Sequence, residues 1–320
     1  MEKIRVGVIG TGYLGKFHAE KYSKMDNVEI VGVVDVNKAR ADNIAKEYET
    51  QAYSDHRDIL GKVDAVSIVV PTHAHYAVSK DFLEHDTDIL IEKPMALTLD
   101  QADELIQLAE LNGLLIQVGH LERFNPAVVA LNDFVRDPMF IESHRLATYK
   151  DRSTDVSVVL DLMIHDIDII LNFVNSKIKL IHSAGVPVVT GEVDIANVRL
   201  EFENGCIANI TASRISTKNK RKIRLFQRDA YLSVDFANYE ITVIKKDSKK
   251  TDALIPNMDI KQFCFTKADA LNDEIISFVN AVTKREAPEV TGRMGRDALK
   301  IALNVTNQIK NRNSTYLTKS

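Results

Sequence analysis

Cysteine is nearly absent. Of 320 residues only Cys206 and Cys264 are cysteines, far apart and outside any CxxC spacing. That excludes a disulfide framework and a zinc ribbon, and no metal is expected. Long apolar runs are missing as well: no stretch approaches the roughly 18 uninterrupted apolar residues of a membrane span. The first residues carry neither a signal-peptide core nor a twin-arginine pair, so the expected location is a reduced cytoplasm. Charge of one sign is also missing. Lys and Arg number 41 against 45 Asp and Glu, far from the basic footprint of a dedicated nucleic-acid binder. What remains is an ordinary globular mix, 45% hydrophobic and 27% charged. At roughly 100–200 residues per domain, the length predicts two domains.

The first part alternates strand and helix signals. Ile4–Ile9, Val28–Val34, Ala65–Val70, Ile89–Glu92 and Leu114–Val118 are short runs rich in Val, Ile and Leu, as suits strands covered on both faces of a parallel sheet. The clearest intervening helix is Leu99–Asn112. Thr98 and Gln101 predict a capping box in which each side chain bonds the other's backbone N–H, and Gly113 suits the stop. Such alternation predicts a doubly wound α/β domain.

After about residue 121 the pattern changes. Val198, Leu200 and Phe202 alternate with Arg199 and Glu201, and Asn204-Gly205 predicts a tight hairpin with positive φ at both turn residues. Cys206, Ala208, Ile210 and Ala212 form the returning strand, and Lys222–Gln227, Ala230–Val234 and Glu240–Ile244 predict more. The expectation is an antiparallel meander in a second, α+β domain. Two helices close the chain, one with Leu271, Ile275, Phe278, Val279 and Val282 on one face and one from about Arg296 to Ile309.

Gly10-Thr11-Gly12-Tyr13-Leu14-Gly15 matches GxGxxG, follows the first strand and opens a helix; Asp35 ends the second strand 20 residues after Gly15. This is the dinucleotide-binding arrangement. Gly10 permits the tight turn, Gly12 a close approach to the pyrophosphate, and Gly15 close helix–strand packing, while the helix N-terminus offers its amides to the phosphates. Gly10 to Lys16 also fits GxxxxGK, but Phe17 replaces the hydroxyl that magnesium needs, which excludes an NTPase. The bland alternative is a glycine turn that binds nothing. Asp35 favours NAD over NADP, because a carboxylate accepts from ribose hydroxyls and repels a 2′-phosphate; Lys38 and Arg40 nearby soften that preference.

Glu92-Lys93-Pro94 at the fifth strand and Asp161-Leu162-Met163-Ile164-His165-Asp166-Ile167-Asp168, a DxxxHxxD segment, resemble the Gfo/Idh/MocA oxidoreductase family over essentially the whole chain. The resemblance implies an N-terminal Rossmann domain (1–121) with NAD as cofactor. It further implies a C-terminal α/β domain (122–320) whose large, mainly antiparallel open sheet supports substrate binding and homo-oligomers, the last helix packing back on the first domain. It also implies a cis Lys93-Pro94 bond. Asp155–Leu160 departs from the glycine-rich run of many members, so simple-sugar specificity does not transfer. Residues 119–126 and 151–155 resemble the branch that oxidises nucleotide sugars, UDP-N-acetylglucosamine 3-dehydrogenases in particular.

A helix over Val159–Val174 would place Asp161, His165 and Asp168 on one face, where a carboxylate orients an imidazole base. Lys93, at a strand's carboxyl end, would polarise the reacting oxygen or join the proton relay. The resemblance makes Lys93, Asp161 and His165 the catalytic group, the bland alternative being an internally bonded polar helix face. The cofactor set is Gly10, Thr11, Gly12, Tyr13, Leu14, Gly15, Asp35, Pro71, His75, Glu92 and Lys93; His75 has a surface alternative, which His73 is expected to follow. The expected substrate contacts are Arg123 and Arg152, on a diphosphate, together with Asp161 and His165 at the reacting group. Lys150 reads equally as solvated charge, Asn125-Pro126 as a helix start, and Lys218–Lys222 as a solvated turn. The function expected is oxidation of a secondary sugar hydroxyl. The alternatives are an inositol or simple-sugar dehydrogenase and a non-enzymatic NAD-binding regulator.

Overall fold

The computed structural model describes residues 3–149, 156–247, 257–266 and 268–317. The chain divides into two compact units: Met1–Leu121 with Asp269–Leu299, and Glu122–Ala268 with Lys300–Ser320. The break at 121 falls where the pattern changes, but the chain returns to the first unit over Asp269–Leu299, whereas the sequence reading gave such a return to the last helix alone.

The first unit holds a parallel sheet of β1 (Ile4–Ile9), β2 (Val28–Val34), β3 (Gln51–Tyr53), β4 (Ala65–Ile68), β5 (Asp88–Glu92) and β6 (Ile116–Gly119), in the order β3-β2-β1-β4-β5-β6. The order reverses between β1 and β4, the switch point where open α/β sheets bind ligands. The crossovers are α1 (Gly15–Ser23), α2 (Lys38–Glu47), α3 (Thr72–Leu83) and α4 (Leu99–Leu111). β3, with three residues, is too short to show a period. β4 ends two residues earlier than expected, at Ile68, although Val69 N still bonds Ile9 O at 2.8 Å. At the start of α4, Thr98 Oγ1 accepts from Gln101 N as expected, but Gln101 Oε1 reaches back one residue further, to Leu97 N at 3.2 Å.

The second unit is built on an eight-stranded sheet: β7 (Phe140–Leu146), β8 (Ile178–Val186), β9 (Ile195–Phe202), β10 (Ile207–Ser213), β11 (Lys220–Phe226), β12 (Ala230–Asp235), β13 (Glu240–Lys246) and β14 (Met258–Cys264), ordered β14-β13-β12-β11-β7-β10-β9-β8. It is mainly antiparallel, but β7 and β10 pair in parallel at its centre, so it is not the simple meander expected. β9 and β10 do form a hairpin around Asn204-Gly205. Its loop is longer than the two-residue turn expected: Gly205 N bonds Phe202 O, and of the pair Gly205 alone has positive φ, +87°. Gly205 absorbs the left-handed step, as in three-residue hairpin loops. Short helix α5 (Pro126–Leu131) is capped by Asn125 with Pro at its first turn.

The expected helix over 159–174 is two pieces. Val159–Met163 is a π-helical turn, followed by α6 (Ile164–Phe173). Helix α7 (Ala270–Lys284) buries Ile275, Phe278, Val279 and Val282 against Val6, Val8 and Val33 of the first sheet. Helix α8 (Gly292–Leu317) closes the chain.

Candidate functional site

In the first unit the three glycines do different work. Gly10 has φ +94°, and a Cβ there would lie 2.6 Å from the carbonyl oxygen of Val69. A Cβ on Gly15 would stand 1.7 Å from the carbonyl oxygen of Gly10, so α1 and the turn touch backbone to backbone. A Cβ on Gly12 would meet no atom nearer than an Arg40 guanidinium nitrogen at 3.8 Å. No side chain caps α1, although Lys16 N and Phe17 N already bond Gly12 O and Leu14 O; the positive end of the helix favours an anion at this turn. An open approach at Gly12 and an uncapped helix start fit a dinucleotide pyrophosphate. Tyr13 and Leu14 are exposed on this turn, and Thr11 is buried beneath it.

Asp35 sits just beyond β2, buried. Its Oδ2 accepts from Thr11 N at 2.9 Å and Thr11 Oγ1 at 3.0 Å, and its Oδ1 from Asn37 N at 2.8 Å. Arg40 Nη1 lies 3.3 Å from the same Oδ2. The softening cation is therefore Arg40.

β5 delivers Glu92 and Lys93 to its carboxyl end, and the Lys93-Pro94 bond is cis, as the resemblance implied. Pro71 is exposed just before α3. His75 is not on the surface. It is buried, with Nδ1 2.8 Å from Pro94 O and Nε2 2.8 Å from Val70 O, so it braces the loops after β5 and β4. Burial pushes its imidazole below the usual value against the opposing pull of the two carbonyls and Glu92. His73 is exposed, as expected. The Glu92 carboxyl faces His18 Nε2 at 3.4 Å.

In the second unit the DxxxHxxD segment splits by environment. Asp161 and His165 remain half-buried, whereas Asp166 and Asp168 are buried in internal pairs. Asp166 Oδ1 accepts from Ser143 Oγ at 2.7 Å and its Oδ2 from Arg145 Nε at 2.6 Å; Arg145 Nη1 continues to Glu122 Oε1 at 2.7 Å. Asp168 Oδ2 lies 3.0 Å from Arg123 Nε. These pairs fix α6 to the sheet and to the segment after β6. The π turn puts a wider, i→i+5 loop between Asp161 and the α-helical part, so regular α spacing does not describe that pair. π turns often mark functional segments.

Arg123 is thus not the free cation expected for a diphosphate: it is 5% exposed and paired within the protein. Arg152 and Lys150 lie outside the described residues. The sequence reading missed Arg145, Glu122 and Asp194. It placed Arg221 in a solvated turn, but Arg221 is the second residue of β11, opposite Arg145, on the face that carries α6, with its side chain 55% exposed and Nη1 3.5 Å from Glu122 Oε1. Parity with buried Ile223 and Leu225 was the available signal.

Residues 4–120 match the model of the oxidoreductase family with an NAD-binding Rossmann fold, and residues 128–233 match the Gfo/Idh/MocA C-terminal domain. The UDP-N-acetylglucosamine 3-dehydrogenase of Acidithiobacillus ferrooxidans is 37% identical over 306 residues, covering 95% of this chain and 97% of that one. A solved structure of that enzyme superposes with a TM-score of 0.90 at 36% identity, over 97% and 99% of the two chains. The scyllo-inositol 2-dehydrogenase (NAD(+)) of Bacillus subtilis is 26% identical, over 97% and 95%.

Proposed function

The chain belongs to the Gfo/Idh/MocA family of NAD-binding oxidoreductases, and from that premise we propose that it oxidises a secondary ring hydroxyl of a nucleotide sugar in the cytoplasm, with UDP-N-acetylglucosamine, at C3, as the substrate. The observation that carries this reading is the 37% identity across 95% of the chain to an enzyme of that name. The relatives named above are dehydrogenases, which the regulator alternative does not account for.

In this proposal Gly10–Gly15, at the start of α1, hold the pyrophosphate, and Asp35 accepts from the adenosine ribose. Bound NAD supplies the hydride acceptor. His165 takes the proton of the reacting hydroxyl as the carbinol C–H bond gives up its electron pair. Asp161 supports the imidazolium charge that forms. The Lys93 ammonium stabilises the oxygen as it loses its proton. With Arg123 buried, we assign Arg221 to the substrate diphosphate, since a half-exposed guanidinium offers a charge-assisted fork to such a group.

Homo-oligomers are proposed through the sheet face opposite α6. Ser143 and Arg145 point toward α6; Phe140, Phe226 and Tyr231, of the other parity, make a row with centroids 5.5 and 5.0 Å apart.

The test is turnover of UDP-sugars, free sugars and inositols with NAD, read by NADH absorbance. UDP-N-acetylglucosamine should give the highest kcat/KM. Higher values with an inositol would overturn the nucleotide-sugar reading in favour of the chemistry named for the B. subtilis relative.

A further inference from the structure

A line of polar side chains crosses the interior of the first unit. His18, on the first turn of α1, is 0% exposed. Its Nδ1 lies 3.1 Å from Ser67 Oγ of β4, and Tyr22 Oη lies 2.8 Å from the same Oγ. Its Nε2 faces Glu92 Oε1 at 3.4 Å. A bare nitrogen lone pair opposite a carboxylate would repel it, so the proton belongs on Nε2. Nδ1 then accepts from the Ser67 hydroxyl, whose oxygen accepts from Tyr22. Every donor in this line points one way, and the line ends on the carboxylate that precedes Lys93.

The surroundings keep that carboxylate in place. A Cβ on Gly119 of β6 would stand 3.1 Å from Glu92 Cδ and Oε2, so a larger residue there would press on the group. Gln117 Nε2 donates to the backbone oxygen of Glu274 at 3.0 Å, anchoring α7 beside it. Burial raises both carboxyls. For Glu92, His18, Lys93 and His75 outweigh burial and hold it below the usual value, whereas the Glu92 charge drives buried Glu274 further up.

We propose that His18 is a positioning residue for Lys93: it holds the Glu92 carboxylate fixed at the end of β5, and thereby sets the turn that carries Lys93. Because His18 stands on α1, the helix whose start fits the cofactor phosphates also aims the lysine. The proposal rests on the reading of Lys93 as a reacting group.

The variants are His18→Leu, which keeps apolar volume without a donor, and His18→Gln, which returns an N–H toward Glu92. The readouts are NAD affinity by calorimetry, kcat across pH with the best substrate, and the labelling rate of Lys93 by an amine reagent, followed by mass spectrometry. The groups facing Glu92 are His18 from α1, His75 from α3, Lys93 and Glu274 from α7. Loss of His18 raises Glu92, so the acid limb of kcat should move to higher pH. In His18→Leu, kcat should fall about 10- to 100-fold with NAD affinity kept, Lys93 labelling should change severalfold, and His18→Gln should restore both. Unchanged kcat, acid limb and labelling in folded His18→Leu would overturn the proposal. So would equal losses in the two variants accompanied by equal losses of thermal stability. If wild-type protein turns over none of the substrates yet Lys93 labelling responds as described, the dehydrogenase reading fails and the positioning role stands.

Discussion

Asp35 Oδ2 accepts from both the amide and the hydroxyl of Thr11, at 2.9 and 3.0 Å. The residue proposed to discriminate between cofactors therefore also pins the glycine-rich turn. Asp35→Ser should weaken NAD and, by releasing Arg40 from its 3.3 Å pairing, improve NADP relative to it. Charge-assisted bonds are worth about 1.5–3 kcal/mol, so the ratio of the two dissociation constants should move by roughly tenfold or more. Calorimetry with both cofactors checks it, and an unchanged ratio would remove Asp35 from the assignment.

Gly12 and Gly15 should separate binding from folding. Gly12→Ala places a Cβ in ordinary contact with Arg40 Nη1, at 3.8 Å, so Tm should hold while NAD affinity drops, the methyl blocking the pyrophosphate. Gly15→Ala collides with Gly10 O and should lower both. Thermal melts with and without NAD distinguish the two patterns. A Gly12→Ala variant that binds NAD normally would argue against phosphates at this turn.

His165→Ala should fold, bind NAD and lose about 10²–10⁴ in kcat, the usual worth of a positioned base. Asp161→Asn should cost less, leaving the base in place with weaker support. Lys93→Met should be severe. NADH formation under saturating substrate measures all three. Near-wild-type kcat in His165→Ala would transfer the base role to Lys93.

Asp194 organises the loop between β8 and β9, its Oδ2 accepting from the amides of Val188, Val189 and Thr190. Burial alone would raise its carboxyl, but these bonds and the Thr190 hydroxyl lower it from 3.8 to about 2. A depressed folded pKa contributes stability that is complete above the unfolded value and lost as pH falls through the folded one. Asp194→Asn should therefore flatten the loss of stability between about pH 4 and 2. Denaturant midpoints across that range test this; parallel pH curves for variant and wild type would contradict it.

What the chain determines locally was legible. Strand runs, the capping Thr98, the spacing of Gly10, Gly12 and Gly15 before Asp35, and Lys93 at a strand end all depend on neighbours in sequence. So does the apolar face of α7, although that face states only that something covers it. Tertiary structure decided the rest. It set α7 against the first sheet, paired β7 in parallel with β10, and enclosed His75 between two carbonyls that lie 5 and 19 residues away. It also joined Arg123 to Asp168, 45 residues on, and left Arg221 half-exposed. A charged side chain has the same sequence signature whether it meets water, a substrate or a buried carboxylate; which one it meets depends on partners that only the folded chain brings within bonding distance.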